Sequence, residues 1–155
     1  IWAKNCREKF DVVIIDFPDP SNYSLGKLYS LNFYATIQKL LNQDAVVVIQ
    51  TTSPYFAPKS FWCINKTVMQ VFPQIDAYHA YVPSFGEWGF TIAINGFGTT
   101  FNTVNRKVDA LRFYNYQFDK FNYFSQDMIS KDIEINRLDN QILVRYFDEE
   151  WGKLQ

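Results

Sequence analysis

The chain has 155 residues, 48% hydrophobic and 20% charged, with a net charge of -1, which suffices for one domain with a genuine core. It has no basic tract and no apolar run of membrane-spanning length, so nucleic-acid binding and a transmembrane helix within these residues are both excluded. Its two cysteines, Cys6 and Cys63, have no zinc-type spacing and make no disulfide framework, as expected of reduced thiols in a cytoplasmic chain.

The first element is carried by Phe10-Asp11-Val12-Val13-Ile14-Ile15-Asp16. A short β-branched run without alternation reads as a strand buried on both faces. Pro18 and Pro20 then stop regular structure. Ser30 is placed to cap a helix over residues 31–41, with Leu31, Tyr34, Ile37 and Leu41 at helical spacing. Residues 45–50 form a second buried strand ending in Gln50. Pro58 fits the first turn of the next helix, with Phe61, Ile64, Val68 and Val71 on one face and Pro73 closing it. Residues 79–83 and 88–95 read as two strands joined by Ser84-Phe85-Gly86-Glu87.

The order strand, helix, strand, helix, strand, strand gives a parallel α/β sheet with an antiparallel hairpin at one edge. Beyond it the signals weaken. Residues 104–114 suggest a helix, residues 115–124 are aromatic and irregular, and the aromatic stretch over 113–124 suits a dimer surface and burial equally. A last helix spans residues 140–151, with Asp148, Glu149 and Glu150 badly placed for its dipole.

Ligands of open α/β sheets bind beyond the carboxyl ends of the strands. Asp16 and Asp19 follow the first strand, and Gln50 ends the second. Two carboxylates on a proline-stiffened loop suit a cationic amine, and one can take a proton from an ammonium nucleophile. An ordinary Asp-Pro turn has the same composition, and both readings stay open at this point. The lone histidine, His79, has no visible carboxylate partner and reads as structural; Glu87 reads as a solvated turn carboxylate and Ser84 as a turn residue.

Several segments resemble the spermidine and spermine synthases, the polyamine aminopropyltransferases. Asp11-Val12-Val13-Ile14-Ile15-Asp16-Phe17-Pro18-Asp19-Pro20 is similar to their D-V-I-I-x-D-x-x-D-P segment. Val46-Val47-Val48-Ile49-Gln50 is similar to the next strand, and Tyr81-Val82-Pro83-Ser84-Phe85-Gly86-Glu87-Trp88-Gly89-Phe90 to the loop and strand that follow. Leu111-Arg112-Phe113-Tyr114-Asn115-Tyr116 also resembles a family segment. Ser53-Pro54-Tyr55-Phe56-Ala57-Pro58-Lys59 and Glu134-Ile135-Asn136-Arg137-Leu138-Asp139-Asn140-Gln141 look like the long bacterial branch, where a membrane-embedded N-terminal region commonly comes first.

The resemblance implies the C-terminal half of a Rossmann-like, class I methyltransferase-type domain over residues 1–155. It implies aminopropyl transfer from decarboxylated S-adenosylmethionine to putrescine or a related amine, giving spermidine and methylthioadenosine, with no metal or bound cofactor. By position Asp16 is the general base, Asp19 holds the charged amine and Gln50 hydrogen-bonds it. Phe85 stands where many members have a tyrosine that contacts the amine, so the preferred acceptor can differ.

The Gly-rich donor loop is not in these residues, and the chain by itself is expected to be inactive. It opens on Ile1 rather than Met, as expected of a piece of a longer protein. A homodimer is expected, through the open edge of the first strand. The alternatives are a methyltransferase on the same fold and a non-catalytic polyamine-binding module.

Overall fold

The computed structural model describes residues 2–99, 101, 109–112 and 121–153. A short helix α1 (Trp2–Asn5) leads into strand β1 (Phe10–Ile15), followed by helix α2 (Tyr23–Gly26), a single 3-10 turn (Lys27–Tyr29) and helix α3 (Leu31–Gln38). Strand β2 (Leu41–Gln50), helix α4 (Pro58–Met69) and the hairpin β3 (Gln74–Val82) and β4 (Gly86–Ile94) come next. Another 3-10 turn (Gln126–Met128) precedes helix α5 (Ile142–Trp151).

The sheet is mixed, in the order β1-β2-β4-β3. β1 and β2 run parallel, with Val13 opposite Val47 and Ile15 opposite Ile49. β4 pairs antiparallel with both β2 and β3, so the hairpin sits at one edge, as expected. The strands start earlier than the sequence suggests at β2 and β3, because polar residues such as Asn42, Gln43 and Asp76 extend the ladders beyond the apolar runs. That extension also shortens α3, which ends at Gln38 rather than 41.

One face of the sheet is the core. Ile15, Val47, Ile49 and Ala93 pack with Tyr34 and Ile37 of α3, Cys63, Ile64 and Val68 of α4, and Leu143 of α5. The opposite face corrects the reading of a strand buried on both sides. Val12 is 61% exposed, and Ile14, which lines a surface cavity, 73%. β-Branched residues are used on both faces, so composition shows the strand but not which faces are covered.

Capping explains where the helices begin. Ser30 Oγ accepts from the Phe33 amide (3.3 Å), as its position implies. α4 has Pro58 at its start, yet its cap residue Ala57 has no side chain able to accept. Glu150 of α5 does so instead, taking bonds from the Lys59 amide (2.7 Å), the Ser60 amide (3.0 Å) and the Ser60 hydroxyl (2.7 Å). Glu149 pairs with Lys59 Nζ at 3.2 Å. The acidic end of α5, ill suited to its own dipole, therefore serves the positive end of α4.

Buried Asn136 ties three regions together. Its side chain donates to Gly26 O (2.9 Å) and accepts from the Leu143 amide (3.3 Å), while its amide donates to Thr67 Oγ1 (2.9 Å).

Residues 104–108 and 113–114 of the expected helix, and residues 113–120 of the aromatic stretch, lie outside the described residues, as do 113–116 of the Leu-Arg-Phe-Tyr segment. The described part of that helix, residues 109–112, is turn and bend, with Ala110 at a φ of 61°. Phe124 packs within the domain, against Phe61 (5.5 Å between ring centres) and Trp62 (5.2 Å), whereas Tyr123 is exposed.

Candidate active site

Parallel pairing of β1 and β2 brings their carboxyl ends to the same side of the sheet. Asp16 leaves β1 there, and Gln50 closes β2. The turn between β3 and β4 arrives beside them, because β4 pairs with β2 and sets Phe90 opposite Gln50. Gly86 takes a φ of 76° in that turn, a conformation a side chain disfavours. The result is a cavity of about 270 Å³ lined by Asp16, Gln50, Phe85, Trp88, Phe90 and their neighbours on β1 and β2.

Phe85 is 57% exposed and packs on Trp88 with ring centres 5.0 Å apart, forming an aromatic wall. Asp19 is placed differently: it lies beside the cavity and joins it through Gln50, whose Nε2 donates to Asp19 Oδ1 at 3.2 Å. Of the four residues marked from sequence, Asp16, Gln50 and Phe85 share the cavity wall, and Asp19 is bound to the second of them.

The acceptor oxygen of Gln50 faces a residue the sequence did not mark. The Tyr29 hydroxyl is 3.2 Å from Gln50 Oε1 and 3.1 Å from both the Phe17 and Pro18 carbonyls. Tyr29 thus links Gln50 to the loop that carries Asp16 and Asp19. Burial, together with the charges of Asp19 and Asp16, raises the pKa of this phenol, so it stays protonated and acts as a donor. Burial likewise raises the Asp19 carboxyl, offset in part by Gln50 and Thr52. A half-buried carboxyl beside an aromatic-walled cavity is chemistry that can hold an ammonium ion.

The histidine reading needs a correction. His79 Nδ1 meets Glu87 Oε2 at 2.8 Å, and Nε2 meets the Tyr123 carbonyl at 2.7 Å. The partner sits eight residues away on the antiparallel neighbour, a pairing invisible until the hairpin register is known. Its role remains structural, since it ties the hairpin to the 121–124 segment, and Glu87 is not a free turn carboxylate. Cys63 is buried and free, its thiol pushed up to about 12 by burial, which makes it unreactive. A larger cavity of about 540 Å³ lies between Trp62, Lys66, Asp76 and Phe124, and contains none of the marked residues.

Comparison with solved structures places this architecture. A spermidine synthase in complex with the transition-state analogue AdoDATO superposes with a TM-score of 0.56 over 98% of this chain and 48% of its own, at 21% identity. The spermidine synthase of Thermotoga maritima superposes with a TM-score of 0.54 over 98% of this chain and 47% of its own, at 19% identity. These likenesses define the class: an α/β domain of the Rossmann-like, methyltransferase type.

Sequence comparison narrows it. The spermine/spermidine synthase domain matches residues 2–107. A polyamine aminopropyltransferase of Leptospira interrogans is 46% identical over 99% of this chain and 30% of its own length. Polyamine aminopropyltransferase 2 of Ralstonia nicotianae is 46% identical over 97% of the chain and 29% of its length. Polyamine aminopropyltransferase 1 of Streptomyces coelicolor is 36% identical over 97% and 28%. The chain belongs to the spermine/spermidine synthase family, and it spans about 30% of the length of the curated relatives it matches.

Proposed function

We propose that this chain is the C-terminal, amine-accepting portion of a polyamine aminopropyltransferase. The reaction moves an aminopropyl group from decarboxylated S-adenosylmethionine to putrescine or a related amine. The observation that carries this reading is the convergence of Asp16, Gln50 and Phe85 on one cavity, with Asp19 bonded to Gln50 beside it. The curated relatives, named polyamine aminopropyltransferases, supply the reaction class.

An ammonium group has no lone pair to attack with, so its proton must leave first. Asp16, exposed at the cavity wall, takes that proton. The freed amine attacks the carbon next to the donor's sulfonium. A carbon–nitrogen bond forms, the carbon–sulfur bond breaks, and its electron pair neutralises sulfur as methylthioadenosine departs. Asp19 and Gln50 hold the acceptor, and the Phe85–Trp88 wall covers its methylene chain. Holding the acceptor in line lowers the barrier without a covalent intermediate.

The same reading includes a homodimer. It also includes, from the likeness to the long bacterial branch, a membrane-embedded region ahead of a domain on the cytoplasmic side. Among the described residues no helix is long and apolar enough to cross a membrane.

The full-length protein, incubated with decarboxylated S-adenosylmethionine and putrescine, is expected to yield spermidine and methylthioadenosine. No product with putrescine, spermidine or cadaverine would remove the proposal. Methyl transfer from ordinary S-adenosylmethionine would replace it with a methyltransferase.

A further inference from the structure

Gln50 can stand in the site two ways round. Its side chain keeps the same shape when the amide is turned over, so its partners decide which atom faces where. At one end Nε2 lies 3.2 Å from Asp19 Oδ1, and an ionised carboxylate only accepts, so the nitrogen belongs there. At the other end Oε1 lies 3.2 Å from the Tyr29 hydroxyl, which must then be the donor. Turned over, the amide would set its oxygen against the Asp19 carboxylate and its nitrogen would lose that bond.

Packing does not account for the Tyr29 hydroxyl. Phenylalanine would keep the fully buried ring and its edge-on contact with Phe17, 6.4 Å between centres, without burying a phenol group. The hydroxyl has one proton, and the Phe17 and Pro18 carbonyls also stand 3.1 Å away. Donation from Nε2 to a carboxylate polarises the amide and makes Oε1 the stronger acceptor, which draws the proton to Gln50. The three groups then form a directed chain, from Tyr29 through the Gln50 amide to Asp19.

We propose that Tyr29 is a positioning residue for the amine site: its hydroxyl donates to Gln50 Oε1, and the amide fixed in this way keeps Nε2 on the Asp19 carboxylate and that carboxylate aimed at the acceptor's ammonium group. This deepens the aminopropyltransferase reading and rests on it. Tyr29 does not line the cavity; it acts through Gln50 and Asp19.

Three variants of the full-length protein test it: Tyr29→Phe, Gln50→Leu and the two together. Tyr29→Phe is expected to raise KM for the acceptor amine by about tenfold, the worth of one hydrogen bond to a charged group, with kcat little changed. The acid limb of its kcat/KM profile is expected to move to higher pH, because Asp19 loses a firmly held donor to its ionised form. The double variant separates the route through Gln50 from simple anchoring of the loop by the Phe17 and Pro18 carbonyls. If Tyr29 acts through Gln50, losing the hydroxyl adds nothing once the amide is gone, and the double variant matches Gln50→Leu. Additive effects on KM overturn the proposal, as do a parental KM and pH profile in folded Tyr29→Phe. Tyr29→Met, whose flexible side chain fills the space without a hydroxyl, carries the test if the phenylalanine variant does not fold.

A parent that makes no product would sink the enzymatic reading instead. The Tyr29 claim is then read from the carboxyl carbon resonance of Asp19. It must titrate at higher pH in Tyr29→Phe than in the parent, and at the same pH in the double variant as in Gln50→Leu. Identical titration in Tyr29→Phe and the parent overturns it.

Discussion

Tyr29 has one proton and three acceptors within reach: the Phe17 and Pro18 carbonyls and Gln50 Oε1. A single hydroxyl therefore anchors the acidic loop and orients the Gln50 amide, which leaves Nε2 free to donate to Asp19. Asp19 bears the cost of this arrangement. Burial raises its pKa, so the folded state holds that proton more tightly than the unfolded chain does. Its contribution to stability is full at acid pH, below the ordinary carboxylate range, and is lost as pH rises through the raised value. Asp19→Asn removes a buried charge and is expected to raise Tm at pH 7, with the gap closing as pH falls into the ordinary carboxylate range. Equal Tm values at every pH would contradict this, as would a destabilised variant. Stability gained at the expense of amine binding is the usual exchange at a functional site.

Asp16, Asp19 and Gln50 were legible at this scale because each is a polar residue at the end of an apolar run, or just past it, and strand ends are where such sheets bind ligands. Tyr29 was not, since a tyrosine beside a helix cap reads as core.

At the scale of elements, α4 and α5 form one unit. The α4 N-terminus lacks a capping side chain of its own and takes Glu150 from 90 residues away. Glu150→Ala leaves two amides and a buried hydroxyl without their acceptor, and is expected to cost about 2 kcal/mol or more of stability. Chemical denaturation of the variant measures this; an unchanged midpoint would mean that water replaces the carboxylate. The strands and α4 could be read from residue spacing because their apolar patterns are long and their stops are proline or polar. α2 and its following 3-10 turn could not: four and three residues carry no periodicity, and only Asn22, accepting from the Ser24 and Leu25 amides, marks the start. Long-range partners such as Glu150 with Ser60 and His79 with Glu87 follow from topology, so each carboxylate looked idle in the sequence.

At the scale of the whole molecule, the helices cover one face of the sheet, and the other shows Val12 and Ile14 to solvent. Among the described residues β1 is also an edge strand, with β2 as its one ladder partner. An open edge with an apolar face invites pairing. The 155-residue chain on its own is expected to self-associate, seen as a mass above 18.3 kDa in light scattering; a monodisperse monomer at micromolar concentration would contradict this.

The cavity that Ile14 shares with Asp16 and Gln50 is what gives the molecule its proposed chemistry, and one substitution reaches it most directly. In the full-length protein Asp16→Asn keeps the shape of the site and removes the proton acceptor. The rate of methylthioadenosine release at saturating amine is predicted to fall at least about a hundredfold, with the fold intact. An Asp16→Asn protein that releases methylthioadenosine at the parental rate would contradict the assignment of the base.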